Sequence, residues 1–196
     1  MIKVKICGIR TIEQAQTALG AGADFIGLQF VPTSKRKIEY SVAKEISKKF
    51  KEKIKLVGVF QNQTLDEINR IVKELKLDYV QLHGEETNTF CNTITVPVIK
   101  AFRPSTFHEM KNYSVPYHLI DREKRGEGKM FPLKKSKRLA RDFRLFIAGG
   151  LDIGNVSEVI KEVRPFAVDV ASGIETDGVP DPEKIQLFVK NVKKIN

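Results

Sequence analysis

Residues able to move protons or hold an anion stand where apolar runs end and the chain turns. Cys7 closes the run 3–7 and Gly8 follows it. His83 comes just after the run 77–82, and Asp121 closes 117–121. Two glycine turns, Gly149 with Gly150 and Ser172 with Gly173, follow the last two runs. A thiol and a carboxyl group can serve as base and acid in one reaction. Glycine pairs leave backbone N–H groups uncovered, as phosphate requires. Each feature also has a plainer reading, because a strand-end Cys is often a packing residue and Gly-Gly is often a turn. What decides between them is whether the run ends converge in space.

The elements that would bring them together alternate along the chain. Val4 and Ile6 lie in a first strand, and Thr11 to Gln14 reads as a capping box opening a helix striped by Ala15, Ala18 and Leu19 and stopped by Gly20 and Gly22. Strands are expected at 24–30, 55–60, 77–82, 96–101, 117–121, 143–148 and 166–170. Between them the pattern predicts a helix capped by Ser41, a second capping box at Thr64 to Glu67, weak helices at 85–94 and 105–113, and helical character over 132–142. Asn155 or Ser157 opens the next helix, and Asp181 with Pro182 caps the last.

Eight apolar strands, each followed by a helical segment, imply parallel strands joined by right-handed crossovers, and eight such units close into a (β/α)8 TIM barrel. One compact barrel domain spanning 1–196 is expected. A doubly wound sheet would show a G-x-G-x-x-G turn after its first strand, and Cys7-Gly8-Ile9-Arg10 is not one. Closure gathers the C-terminal strand ends at one mouth: Cys7, Gln29, Phe60, Gln81 with His83, Lys100, Asp121 and the two glycine turns. Turns after the seventh and eighth strands are where barrels hold phosphate, through backbone N–H groups and the start of a short helix.

Composition narrows the partners. The chain has 196 residues, 41% of them apolar and 30% charged, with no apolar run long enough to span a membrane, so a cytoplasmic protein is expected. Cys7 and Cys91 lie far apart without a CxxC partner, which argues against a disulfide framework and against a zinc site. A net charge of +10 raises nucleic acid as a partner, but the lysines are scattered over the helical segments without a recognition motif, so solvated faces and attraction of a small anionic substrate are expected instead.

Several blocks resemble one family: Lys5-Ile6-Cys7-Gly8-Ile9, Ser34-Lys35-Arg36, Val57-Gly58-Val59-Phe60, Gln81-Leu82-His83-Gly84-Glu85-Glu86, Ala148-Gly149-Gly150-Leu151 and Val168-Asp169-Val170-Ala171-Ser172-Gly173-Ile174-Glu175. In this order they resemble the phosphoribosylanthranilate isomerases of tryptophan biosynthesis, and they run through nearly the whole chain. The resemblance implies a cofactor-free, metal-free Amadori rearrangement of N-(5-phosphoribosyl)anthranilate. Cys7 would be the general base at sugar C2, and Asp121 the general acid at the ring oxygen. Cys7 would need a lowered pKa, for which Arg36 and the basic rim are the expected sources, while Asp121 would be held protonated. Arg36 would clamp the anthranilate carboxylate. His83 and Asp169 would line the pocket, with a structural histidine and a carboxylate tying down the eighth strand as their alternatives. Gly149, Gly150, Ser172 and Gly173 would hold the phosphate. The implied partner is a small phosphorylated substrate, with no nucleic acid and no membrane, in a monomer or homodimer.

The resemblance is incomplete after Asp121, where the family's glycine-rich loop ends in an Asp-Trp pair. Here Arg125-Gly126-Glu127-Gly128 keeps two glycines, and Pro132-Leu133 replaces the pair. Another phosphosugar isomerase or epimerase on the same barrel is the alternative. A histidine-pathway isomerase would carry a carboxylate in place of Cys7, and an epimerase would carry metal-binding His and Asp at strand ends.

Overall fold

Side-chain alternation along the strands decides which residues can reach the mouth. The computed structural model describes residues 1–122 and 132–195. Eight parallel strands close a barrel in sequence order: β1 (Lys3–Cys7), β2 (Phe25–Gln29), β3 (Lys55–Phe60), β4 (Tyr79–Leu82), β5 (Val98–Phe102), β6 (Tyr117–Ile120), β7 (Leu145–Ile147) and β8 (Ala167–Val170). Its register sets Lys5 opposite Asp169 across the seam between β1 and β8, and Cys7 opposite Gly27 on the other side.

Helices α1 (Ile12–Ala21), α2 (Tyr40–Phe50), α3 (Leu65–Leu75), α4 (Asn88–Asn92), α5 (Leu133–Asp142), α6 (Val156–Val163) and α7 (Pro182–Lys193) supply the crossovers. The crossover after β5 is a 3-10 helix, Pro104–Asn112, rather than an α-helix. The expected capping box of α1 is present between Thr11 and Gln14, and Gly22 ends that helix in the left-handed region at φ 87°. Thr64, Thr87 and Asp181 cap α3, α4 and α7 through their side chains. Ser41 does not cap α2, which starts two residues earlier than such a cap implies, at Tyr40 after Glu39, without a side-chain cap.

Outward residues such as Ile6, Leu56, Val80, Ile120 and Val168 pack against the helices. Inward residues Phe25, Val57, Ile99, Leu119 and Phe146 fill the barrel, with the Phe25 ring 5.5 Å from both Tyr79 and Phe146. Truncating one such phenylalanine to alanine would cost about 3–5 kcal/mol. This apolar plug is the floor on which the polar mouth stands. The same alternation removes Phe60 and Lys100 from the mouth: Phe60 belongs to the outer core, and Lys100 donates to the Gly84 carbonyl at 2.7 Å and meets Glu86 at 3.3 Å. The departures at Arg125 to Gly128 fall in 123–131, outside the described residues.

Candidate active site

Lysine 5 begins the site, although its place in the sequence assigns it no role. It is fully buried, and its Nζ donates to Asp169 Oδ1 at 2.9 Å. Burial alone would lower its pKa, but the charge of Asp169 and the neighbouring Cys7 outweigh that and hold the ammonium above its ordinary value. Only a glycine fits opposite. A Cβ on Gly27 would stand 2.8 Å from Cys7 Sγ and 2.9 Å from Lys5 Nζ, so the sulfur and the ammonium share one small space. Burial pushes the Cys7 thiol up, against the pull of Lys5 and Arg36. The expected lowering is therefore corrected: in the free chain desolvation wins, and the largest opposing charge is Lys5 rather than Arg36. Asp169 both lines the mouth and ties β8 to β1.

Across the barrel, β4 and the turn after it place Gln81 and His83. The Gln81 amide nitrogen meets His83 Nε2 at 2.5 Å, while Gln81 Oε1 is buried without a partner among the described residues. Burial lowers the His83 pKa to about 4, so the imidazole is neutral near pH 7. The turn that carries it is fixed by Glu86, which accepts from Asn62 N at 2.8 Å and Gly84 N at 2.9 Å. Asp121 lies one residue beyond β6, where its Oδ1 accepts from the Arg122 N–H at 2.8 Å.

Arg36 comes from the turn after β2, and its stem lies over Gly8, where a Cβ would approach Arg36 Cδ to 2.6 Å. Its guanidinium is already engaged, donating from Nε and Nη2 to Glu175 at 2.5 and 2.6 Å. Glu175 belongs to a hairpin of β9 (Glu175–Thr176) and β10 (Val179–Pro180). Arg10 fastens the same hairpin, donating to the carbonyls of Gly178 at 2.8 Å and Lys35 at 3.3 Å. This hairpin occupies the place expected for a short phosphate-binding helix.

The glycine turns divide. Gly149 and Gly150 have φ of +77° and +93°, and neither N–H donates to an acceptor among the described residues. A Cβ on Gly149 would come within 2.5 Å of Asp121 Oδ1, so this glycine is also the wall against which the carboxylate rests. Gly173 bridges to Asp152, and a Cβ there would strike the Leu151 carbonyl at 1.9 Å. It holds the two turns together and does not line the cavity, whereas Gly149, Gly150 and Ser172 do. Asn155 precedes α6 but does not cap it; its Oδ1 accepts from Asp152 N and its Nδ2 donates to the Gly150 carbonyl.

Cys7, Asp121, Arg36, His83, Asp169, Gly149, Gly150 and Ser172 all line one cavity of about 410 Å³ at the C-terminal mouth. A smaller one of about 240 Å³ adjoins it, sharing Gln29, His83, Asp121 and Arg122. Sequence spacing does not single out Lys5, Glu175 or Arg122; the lysine alternating with Val4 and Ile6 is the one available signal. Among the described residues no group of three His, Cys, Asp or Glu could hold a metal ion, and no helix is long and apolar enough to cross a membrane. Cys91 is buried away from the cavity, and His118 stacks on Phe102.

A thiol, an imidazole, carboxyl groups and open glycine turns at the C-terminal mouth of a closed eight-stranded barrel define an enzyme of the (β/α)8 class. Residues 4–191 match the family model described as N-(5'phosphoribosyl)anthranilate (PRA) isomerase, and the chain belongs to that family. The N-(5'-phosphoribosyl)anthranilate isomerase of Oceanobacillus iheyensis is 41% identical, with 97% of each chain covered. That of Streptococcus mutans is 40% identical over 99% of this chain and 100% of its own. The crystal structure of phosphoribosyl anthranilate isomerase from Thermotoga maritima superposes with a TM-score of 0.91 at 38% identity, covering 99% of this chain and 100% of that one. A family structure in complex with reduced 1-(o-carboxyphenylamino)-1-deoxyribulose 5-phosphate matches with a TM-score of 0.88 and the same identity and coverage.

Proposed function

We infer that this chain converts N-(5-phosphoribosyl)anthranilate to 1-(2-carboxyphenylamino)-1-deoxyribulose 5-phosphate, the isomerisation of tryptophan biosynthesis, with Cys7 as base and Asp121 as acid. The observation that carries the assignment is their convergence: the two groups come from β1 and the end of β6 and line one cavity that also holds Arg36 and the Gly149 turn. Asp121 gives its proton to the ring oxygen as the bond from that oxygen to C1 breaks, and the nitrogen lone pair forms the C1=N Schiff base. Cys7 then takes the C2 proton, and those electrons form C1=C2 and discharge the iminium. Tautomerisation adds a proton to C1 and releases one from the C2 hydroxyl, leaving a ketone with the composition of the substrate. Each group supplies a factor of about 10²–10⁴.

The remaining lining suits the two ends of such a substrate. Arg36 presents a planar cation for the anthranilate carboxylate, and Gly149, Gly150 and Ser172 take the phosphate on their N–H groups. His83, Gln81 and Gln29 face the sugar; both glutamine Oε1 atoms are buried without a partner among the described residues, and sugar hydroxyls are donors that would meet them. Asp169 lies beside the anthranilate nitrogen. All these groups come from one chain, so a monomer carries them all, and a homodimer would carry two sets. The net charge of +10 is used on the anionic substrate rather than on nucleic acid, and the free thiols Cys7 and Cys91 fit the cytoplasm.

Fluorescence of freshly generated phosphoribosylanthranilate tests the assignment. Cys7→Ala and Asp121→Asn are expected to lose at least about a hundredfold in kcat with unchanged circular dichroism. Full activity in either variant would refute the role of that residue.

A further inference from the structure

We propose that Lys5 is a positioning residue for the reaction, an internal counter-charge shared between Asp169 and the Cys7 sulfur, so that the base is formed beside a fixed ammonium. The proposal rests on the reading of Cys7 as the base. It stands on three geometric facts. Lys5 Nζ is fully buried and bound to Asp169 Oδ1 at 2.9 Å. The space a Cβ on Gly27 would take lies 2.8 Å from Cys7 Sγ and 2.9 Å from Lys5 Nζ, so both atoms border the same small gap. Register pairs Lys5 with Asp169 on one side and Cys7 with Gly27 on the other, so the strands themselves hold the ammonium between carboxylate and sulfur.

A buried ammonium with one buried carboxylate is already a neutral pair, and structural pairing would explain it without reference to the sulfur. The site gives it more to do. The charged and titratable groups acting on Cys7 are Lys5 from its own strand, Asp169 from β8 and Arg36 from the turn after β2, while β2 offers only Gly27 at that level. Arg36 spends two of its donors on Glu175, while Lys5 is the cation with the larger influence on the thiol and bonds to it. Burial opposes a thiolate at this position, and Lys5 is the largest influence against that opposition. Lys5 is absent from the lining of the cavity, so it acts through Cys7 and not on substrate.

The pH dependence of Cys7 alkylation by iodoacetamide tests this, measured in a Cys91→Ser background. Lys5→Met is expected to raise the midpoint by about one pH unit or more and to move the acid limb of kcat/KM upward with it. Lys5→Met combined with Asp169→Leu removes both charges and leaves no ion unpaired, which also covers the case in which the single variant fails to fold. If Lys5 served only to neutralise Asp169, the double variant would return to the wild-type midpoint, and that result overturns the proposal. It also falls if the alkylation midpoint moves while the kcat/KM limb stays in place. In the unaltered chain, the Lys5 Cε resonance is expected to follow the titration of Cys7, and a Lys5 signal indifferent to it would count equally against the idea. Full activity of Cys7→Ala would instead sink the base assignment and leave the alkylation result readable by itself.

Discussion

Arg36 and Glu175, 139 residues apart in the chain, are joined by two parallel bonds from Nε and Nη2 to the two carboxylate oxygens. The pair welds the turn after β2 to the hairpin after β8 and fixes the plane of the guanidinium before any ligand arrives. Glu175 is thus a resident carboxylate beside the cation that the proposed reaction needs for a carboxylate of its substrate.

Glu175→Gln keeps the shape but gives up the charge and one acceptor, so the Arg36 fork loses its fixed direction. The expected outcome is a KM raised about tenfold, close to 1.4 kcal/mol, with kcat changed only a few-fold. Steady-state fluorescence kinetics check it, and an unaltered KM would show that Glu175 does not orient Arg36.

The two glycines after β7 separate strain from contact. Gly149→Ala would force a side chain onto φ +77° and place its Cβ 2.5 Å from Asp121 Oδ1, whereas at Gly150, with φ +93°, the nearest atom is Arg122 Nη1 at 3.7 Å. Both alanine variants should lose about 1–3 kcal/mol of stability. Only Gly149→Ala should also lose about a hundredfold or more in kcat, because it displaces Asp121, the proposed acid. Chemical denaturation alongside turnover measures the two effects apart, and equal kcat losses would contradict this division.

His83 provides a pH test with a defined sign. Its folded-state pKa is lowered to about 4, against about 6.5 in the unfolded chain. In that interval the unfolded chain binds the extra proton, so the contribution of His83 to stability is full above about pH 6.5 and is lost as pH falls toward 4. Imidazole NMR should show His83 neutral at pH 7 with a midpoint near 4. Thermal unfolding between pH 6.5 and 4 should fall less steeply in His83→Asn. A midpoint near 6.5 would mean that the imidazole is solvated rather than buried.

The order of strands and helices was legible in the chain because apolar spacing and capping residues are local. Thr11 with Gln14, Gly22 and Asp181 with Pro182 mark helix ends by contacts within a few residues, and eight such units have few ways to close. Closure then put Cys7 and Asp121 at one mouth from strand position alone. Where an element depended on packing, the spacing misplaced it, as with the start of α2 at Tyr40 and the 3-10 geometry of Pro104–Asn112.

The sequence by itself therefore determined the barrel and the meeting of Cys7 and Asp121 at its mouth. Only the tertiary structure decided their surroundings. A lysine alternating with Val4 and Ile6 reads equally as a solvent-facing residue until closure turns that face inward and brings Asp169, 164 residues away, against it. The same holds for Glu175 on Arg36, for Gly173 under the Leu151 carbonyl, and for the upward shift of Cys7, which depends on how much water the finished mouth excludes. Periodicity fixes which side a residue faces along its own strand; what it meets there is set by register between strands distant in the chain, which no local pattern encodes.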